Sequence, residues 1–164
     1  MSEAPLVPGT VAEHTICLLV KLGQVAFRIA EDGISGTGLR VRHYSVLQAL
    51  ADNGAMPQLT LGSFLRIDPA TMVTSLDDLE RAGYAERTRD PQDRRRYAVD
   101  ITDNGRKVLA DLNNTLADLD TETLTDLDST ERHSLHTLLV SLAESPALTS
   151  MFDAVREQSG TKRA

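Results

Sequence analysis

The sequence predicts a mainly α-helical chain with one small β-hairpin, an α+β fold, and three observations carry that expectation. Apolar residues recur at helical spacing towards both chain ends, helix start and stop residues bracket the stretch from Asp68 to Gly83, and one pair of alternating runs follows. The chain has 164 residues, 41% hydrophobic and 25% charged, which suits one globular unit with helical arms.

Residues 1–9 contain two prolines and a glycine and read as a loose arm. Over 10–32, Ile16, Leu19, Val20, Leu22, Ala26, Phe27 and Ile29 keep a helical period, and Thr10 with Glu13 fits a capping box. So broad an apolar surface at a chain end needs a partner, and a second copy of the same helix is the simplest one. Gly33, Gly36 and Gly38 read as a connector, because no Lys-Ser/Thr pair closes the run into a phosphate loop. A helix over Arg42 to Ala51 stops at Asp52-Asn53-Gly54. Pro57 opens a short helix from Gln58 to Arg66, and Ile67-Asp68-Pro69 makes a tight corner.

Beyond that corner Asp68 can cap a helix over 69–82, and Pro69 suits its first position. Met72, Leu76 and Leu79 give it an apolar back; Ala70, Thr71, Thr74, Ser75 and Asp78 are expected on a small, polar front. Gly83 ends it. A hairpin follows, from Tyr84 to Thr88 and from Arg96 to Thr102, with Tyr97, Val99 and Ile101 alternating around an Asp-Pro turn. Between Arg81 and Arg96 six arginines face three acids in a chain whose net charge is −7, and phosphate is their natural complement.

Asp103 is expected to cap a long helix towards Thr125, with Val108, Leu109, Leu112, Leu116 and Leu119 along one face. Seven acids and no Lys or Arg lie between Asp111 and Glu131, so that side repels DNA. Ser129 and Arg132 mark another start, Leu135, Leu138, Leu139 and Leu142 form its stripe, and Pro146 stops it. Met151, Phe152 and Val155 suggest a last turn or two before a polar tail, 159–164. Residues 40–107 hold eleven Lys/Arg and ten Asp/Glu, whereas the rest hold six and fourteen. That division suggests a DNA-binding middle, 40–104, between dimerisation helices at 10–32 and 105–158.

Asp93, Arg95, Ile101, Thr102 and Gly105 together resemble the wing-to-helix segment of the MarR family of bacterial winged-helix regulators, Asp-x-Arg and then hydrophobic-Thr-x-x-Gly. Leu61 to Ile67 is similar to that family's short helix before the recognition helix, and Leu79 to Tyr84 to the recognition helix's end. The resemblance spans roughly residues 43–105. It implies a winged helix-turn-helix lobe, a homodimer built from both chain ends, and a pseudo-palindromic double-stranded DNA operator with half-sites about 10 bp apart.

On that reading the helix 69–82 enters the major groove through Pro69, Ala70, Thr71, Thr74 and Ser75. The wing, 89–96, reaches the minor groove through Arg89, Arg94, Arg95 and Arg96, with Asp93 orienting a neighbouring arginine. Asp77 and Asp78 depart from the family pattern, and Asp78 facing a phosphate would weaken binding. Taken singly, the helix-front residues also read as ordinary exposed positions and the arginines as a solvated loop; helix, cluster and spacing together favour DNA.

The resemblance also implies a repressor released by a small aromatic or phenolic acid. The expected lining is His14, Cys17, Lys21, Arg42, His43 and Tyr44, where cations beside an apolar wall suit an organic anion. Cys17 has two readings: a buried apolar residue, or a redox sensor like that of the family's peroxide-sensing branch. A winged-helix module docking a protein through its acidic ends is the other alternative. His133, His136 and Glu131 are spaced too loosely for a metal site, and no cofactor is expected. Phosphate-loop and Gly-x-Ser-x-Gly motifs are both missing, which speaks against an enzyme. One cysteine, no basic leader and no apolar run near the ~18 residues of a membrane span lead to the expectation of a cytoplasmic protein.

Overall fold

The computed structural model describes residues 5–89 and 97–161, with side chains through residue 158. The helices are α1 (Thr15–Ile34), α2 (Val41–Asn53), α3 (Gln58–Leu65), α4 (Pro69–Arg81), α5 (Asp103–Thr123), α6 (Ser129–Ala143) and α7 (Pro146–Thr161). The strands β1 (Met56–Pro57), β2 (Ala85–Arg89) and β3 (Tyr97–Ile101) form an antiparallel sheet in the order β1-β3-β2. The chain divides into two compact units, Met1–Asp120 and Thr121–Ala164.

The first unit closes over one core. Val46, Leu47 and Leu50 of α2, Leu61 of α3, Met72, Leu76 and Leu79 of α4, Val99 of β3 and Leu112 of α5 are all but sealed from solvent. Each such side chain contributes about 1.5–3 kcal/mol by burial. This core fixes α3 and α4 against α2 and brings the hairpin in behind them, as the spacing of Met72, Leu76 and Leu79 predicts.

The end of α4 is built by backbone chemistry. Gly83 takes a left-handed conformation (φ 73°), and its N–H donates to Glu80 O while that of Tyr84 donates to Leu79 O, which ties off the last carbonyls. Tyr84 O in turn accepts from the N–H of Thr102, and Thr102 Oγ1 donates to Gly83 O at 2.7 Å. The same hydroxyl accepts from Gly105 N at 3.0 Å and so caps α5. A Cβ at Gly105 would meet Tyr84 O at 2.0 Å. The Thr-x-x-Gly motif is therefore a clasp that locks the start of α5 onto the end of α4.

Several expectations are corrected. Thr10 makes no capping bond; a short 3-10 turn, Val11–Glu13, and an extended His14 precede α1. Gly33 lies inside α1 rather than in a connector, because its missing Cβ admits Leu119 of α5, whose Cδ1 would lie 2.6 Å from that atom. Thr102, not Asp103, caps α5. Asp128 caps α6 by accepting from Thr130 N and Glu131 N, while Glu131 accepts from Asp128 N. The expected last turn or two is the sixteen-residue α7, which takes in 159–161 of the supposed tail. The two-residue β1 is too short to show alternation, and Pro57, lacking an N–H, suits its edge position.

α6 contains no buried residue, and in α1 only Ile34 is buried. Ile16, Val20 and Phe27 of α1, Leu138 of α6 and Met151 and Val155 of α7 are more than half exposed. Among the described residues no single helix is long and apolar enough to cross a membrane.

Gly105→Ala should destabilise the protein by about 1–3 kcal/mol or more, since a carbonyl oxygen occupies the space of the added methyl. Thr102→Ala should cost about 1 kcal/mol through the lost cap. Urea unfolding measures both, and an unchanged midpoint for Gly105→Ala would dismiss the clasp.

Candidate nucleic-acid interface and adjoining cleft

α3 turns into α4 through Arg66, the one non-glycine residue with positive φ (53°) among those described. Asp68 then accepts from Thr71 N at 2.9 Å, and its hydrogen bonds with Thr71 hold its carboxyl below the usual carboxylate range. With its back in the core, α4 presents Pro69, Ala70, Val73, Thr74 and Asp77 to solvent, and Thr71 is half-buried. Thr74 Oγ1 donates to Ala70 O at 3.1 Å and keeps acceptor capacity facing outward.

Ser75 is misplaced by the sequence reading. It is completely buried, and its hydroxyl donates to Thr71 O at 2.8 Å, so it cannot reach a base edge. The reason is helical spacing: Ser75 lies three residues after Met72 and beside Leu76, inside the apolar arc. Val73 takes the outward position instead, and polarity alone concealed it.

The acids of α4 are occupied. Arg87 of β2 pairs with Asp77 Oδ1 at 2.9 Å and with Glu80, and Arg87 N also donates to Glu80 Oε1 at 3.0 Å. Arg81 binds Asp78 Oδ1 at 3.0 Å. Arg87 thus ties the hairpin to α4 instead of standing free, while Arg81, largely exposed, pairs with Asp78, so that Asp78 does not stand unopposed on the front. In the hairpin Arg89 pairs with Tyr97 in register, and both are exposed. Asp93, Arg94, Arg95 and Arg96, expected at the wing tip, lie outside the described residues.

Beside the C-terminal half of α4 is a cleft of about 480 Å³ lined by Leu39, Arg40, Arg42, His43, Asp78, Arg81 and Tyr84, with Thr37, Gly38 and Ala82 completing it. Of the expected effector residues, only Arg42 and His43 line it. Tyr44 turns to α5 and donates to Asn113 Oδ1 at 3.0 Å. His14, Cys17 and Lys21 sit at the far end of α1, and at about 1.5 Å per residue the length of that helix keeps them away from this cleft. Cys17 is a half-buried free thiol. Arg40, Asp78, Arg81 and Tyr84, which also line the cleft, were not among the expected effector residues.

His43 is 3% exposed, and its Nδ1 accepts from Arg40 N at 3.2 Å, which assigns the proton of the neutral ring to Nε2. Burial, aided by the Arg42 charge, lowers its pKa below the ordinary 6.5. The folded chain therefore prefers the neutral ring. The resulting stability is fully present above pH 6.5 and is lost as pH falls through the lowered folded value. Urea unfolding from about pH 7.5 to about pH 5 should show that loss, and His43→Gln should flatten it. Arg87→Met should lower stability by about 1.5–3 kcal/mol by freeing Asp77 and Glu80, again read by urea unfolding.

A helix with an open front, braced to a hairpin and followed by a locked connecting helix, is an arrangement shared with known proteins. The family model described as MarR family matches residues 39–97. A putative transcriptional regulatory protein for the hcr operon of Thauera aromatica is 31% identical over 150 residues, 88% of this chain and 90% of that protein. Among solved structures, a MarR-family transcriptional regulator from Rhodococcus sp. RHA1 is similar with a TM-score of 0.73 at 26% identity, covering 81% of this chain and 94% of its own. CouR from Rhodococcus jostii RHA1, bound to p-coumaroyl-CoA, has a TM-score of 0.68 at 27% identity over 82% and 94% of the two chains. The motif residues that clasp α5 to α4 and the near full-length likeness to a regulator thus agree: this chain belongs to the MarR family of transcriptional regulators, DNA-binding proteins and not enzymes.

Proposed function

We propose that this regulator binds a pseudo-palindromic operator as a homodimer and represses transcription until a small aromatic carboxylic acid releases it. α4 enters the major groove and the wing, 89–96, the adjacent minor groove. The observation that carries this reading is the exposed small-residue front of α4, Pro69, Ala70, Thr71, Val73 and Thr74, backed by a sealed core and braced to the hairpin by Arg87. Small side chains let the helix approach base edges, and the Val73 methyls suit a thymine methyl. Arg89, exposed at the end of β2, precedes the arginine-rich segment of Arg94, Arg95 and Arg96 in sequence.

The homodimer is supported by the exposed apolar faces of α1, α6 and α7, which in a single chain leave large hydrophobic side chains in water. Two-fold symmetry then repeats α4 at half-sites about 10 bp apart. An aromatic acid is supported by the cationic cleft beside α4 and by the fold shared with CouR, whose bound molecule carries a coumaroyl group.

Selection of bound sequences from random DNA should recover an inverted repeat. Arg94→Ala with Arg95→Ala should reduce affinity at least tenfold and lower the slope of log K against log salt by about 2. Thr74→Ala should weaken specific more than non-specific binding, while Ser75→Ala should act on stability alone. Failure to enrich any sequence at low salt would refute the proposal.

A further inference from the structure

We infer that Arg66, at the corner between α3 and α4, is a phosphate contact of the helix-turn-helix, gripping the DNA backbone beside the groove that α4 enters. The inference rests on the reading above that α4 is the helix in the groove, and adds to it a residue outside α4 and the wing. Two independent observations single Arg66 out. The first is conformational: Arg66 closes α3 with φ 53° and ψ 33°, a left-handed backbone that glycine adopts freely and that a Cβ disfavours. The turn itself is made by backbone bonds, Ile67 N donating to Gly62 O at 3.0 Å and Arg66 N to Ser63 O at 3.2 Å, which need no side chain at residue 66. Glycine would make the same turn with less strain, so a long cation kept there serves something other than the turn.

The second is charge. Between Arg42 and Arg81 the sequence holds one Lys or Arg, Arg66, against Asp52, Asp68, Asp77, Asp78 and Glu80. A helix-turn-helix that lies against phosphate needs positive charge, and beyond Arg66 its two helices supply only Arg81, which pairs with Asp78 at the far end of α4. The amides at the start of α4 do not offer the usual anion site. Pro69 has no N–H, the N–H of Thr71 donates to the Asp68 carboxylate at 2.9 Å, and that of Met72 donates to Asp68 O at 2.9 Å. Asp68 is itself exposed, and the hydrogen bonds that hold its carboxyl below the usual carboxylate range keep it an anion at this tip. Arg66, also exposed and at most ~7 Å of chain upstream, offsets that charge where the helix meets the duplex. A phosphate contact of this kind carries no sequence information; it fixes the depth and register at which Pro69, Ala70, Val73 and Thr74 meet the bases.

The test compares Arg66→Gly, Arg66→Gln and Arg66→Lys in the full chain, by urea unfolding and by titration across a range of salt against two labelled duplexes, one recovered by selection from random DNA and one of arbitrary sequence. Arg66→Gly should unfold at an equal or higher urea midpoint, because the left-handed strain is relieved, and yet bind both duplexes about tenfold more weakly. Its slope of log K against log salt should be shallower by about 1 per protomer, and Arg66→Gln should match it in affinity and slope. Arg66→Lys keeps the charge and should restore the slope. Unchanged affinity and slope in Arg66→Gly and Arg66→Gln would overturn the inference. A lowered urea midpoint in Arg66→Gly, which assigns the side chain to the fold, would do the same, as would a loss confined to the selected duplex, the mark of base readout. The operator reading fails separately: if selection recovers no sequence while the arbitrary duplex still shows the shallower slope, the phosphate contact stands and sequence-specific binding does not. A selected inverted repeat bound equally by the wild type and the Arg66 variants does the reverse.

Discussion

The geometry of this protein depends on one crowded point, where the backbone of Gly83 and Tyr84 meets Thr102 and Gly105. There the recognition helix stops, the hairpin begins and returns, and α5 starts, all within a few hydrogen bonds. Glycine at 83 supplies the positive φ that turns the chain out of α4, and glycine at 105 leaves room for the Tyr84 carbonyl. Thr102 serves both sides through one hydroxyl, donating to the end of α4 and accepting from the start of α5. The angles between reading helix, wing and α5 are thereby set by covalent geometry and short hydrogen bonds rather than by side-chain packing alone.

Charge follows the same logic of position. An acidic chain that binds DNA must keep its carboxylates from facing phosphate, yet α4 carries Asp77, Asp78 and Glu80. Each is turned to internal use: Asp77 and Glu80 hold Arg87 of the hairpin, and Asp78 holds Arg81 and faces Arg42. Partly buried pairs of this kind add modest stability and considerable orientation. The net effect is that the acids stiffen the joint between helix and wing, and the repulsion expected of Asp78 is neutralised at its source.

What was legible in the sequence follows from what is local. The Asp68 cap, the Met72, Leu76 and Leu79 stripe, the Gly83 stop and the hairpin with Val99 and Ile101 turned inward all depend on residues within a few positions of one another, and each of these forms. The errors lie where distant packing decides. Gly33 is helical because Leu119 presses against it, which no local pattern reveals. Ser75 lies inside the apolar arc of α4, and its hydroxyl is satisfied by its own helix at Thr71 O, so a polar side chain is buried where polarity alone suggested the front. Of the expected effector set, Arg42 and His43 line the cleft formed by the α1–α2 connection, α2 and the end of α4, a grouping of distant residues that no local pattern reveals. A β1 strand of two residues has no periodicity to detect.

The ties along α4 differ between its two halves. The residues that face solvent at its N-terminal half, Pro69, Ala70, Val73 and Thr74, follow the Asp68 cap, and the C-terminal half is held to the hairpin by Asp77 and Glu80. A helix with Met72, Leu76 and Leu79 sealed in the core cannot bend locally without breaking its backbone ladder, so it responds to a lost tie as one rod. Asp77 and Glu80 tie that rod to the hairpin through Arg87, while Asp78 pairs with Arg81 of its own helix, so the firm external tie of this half of α4 is to β2 rather than to α2.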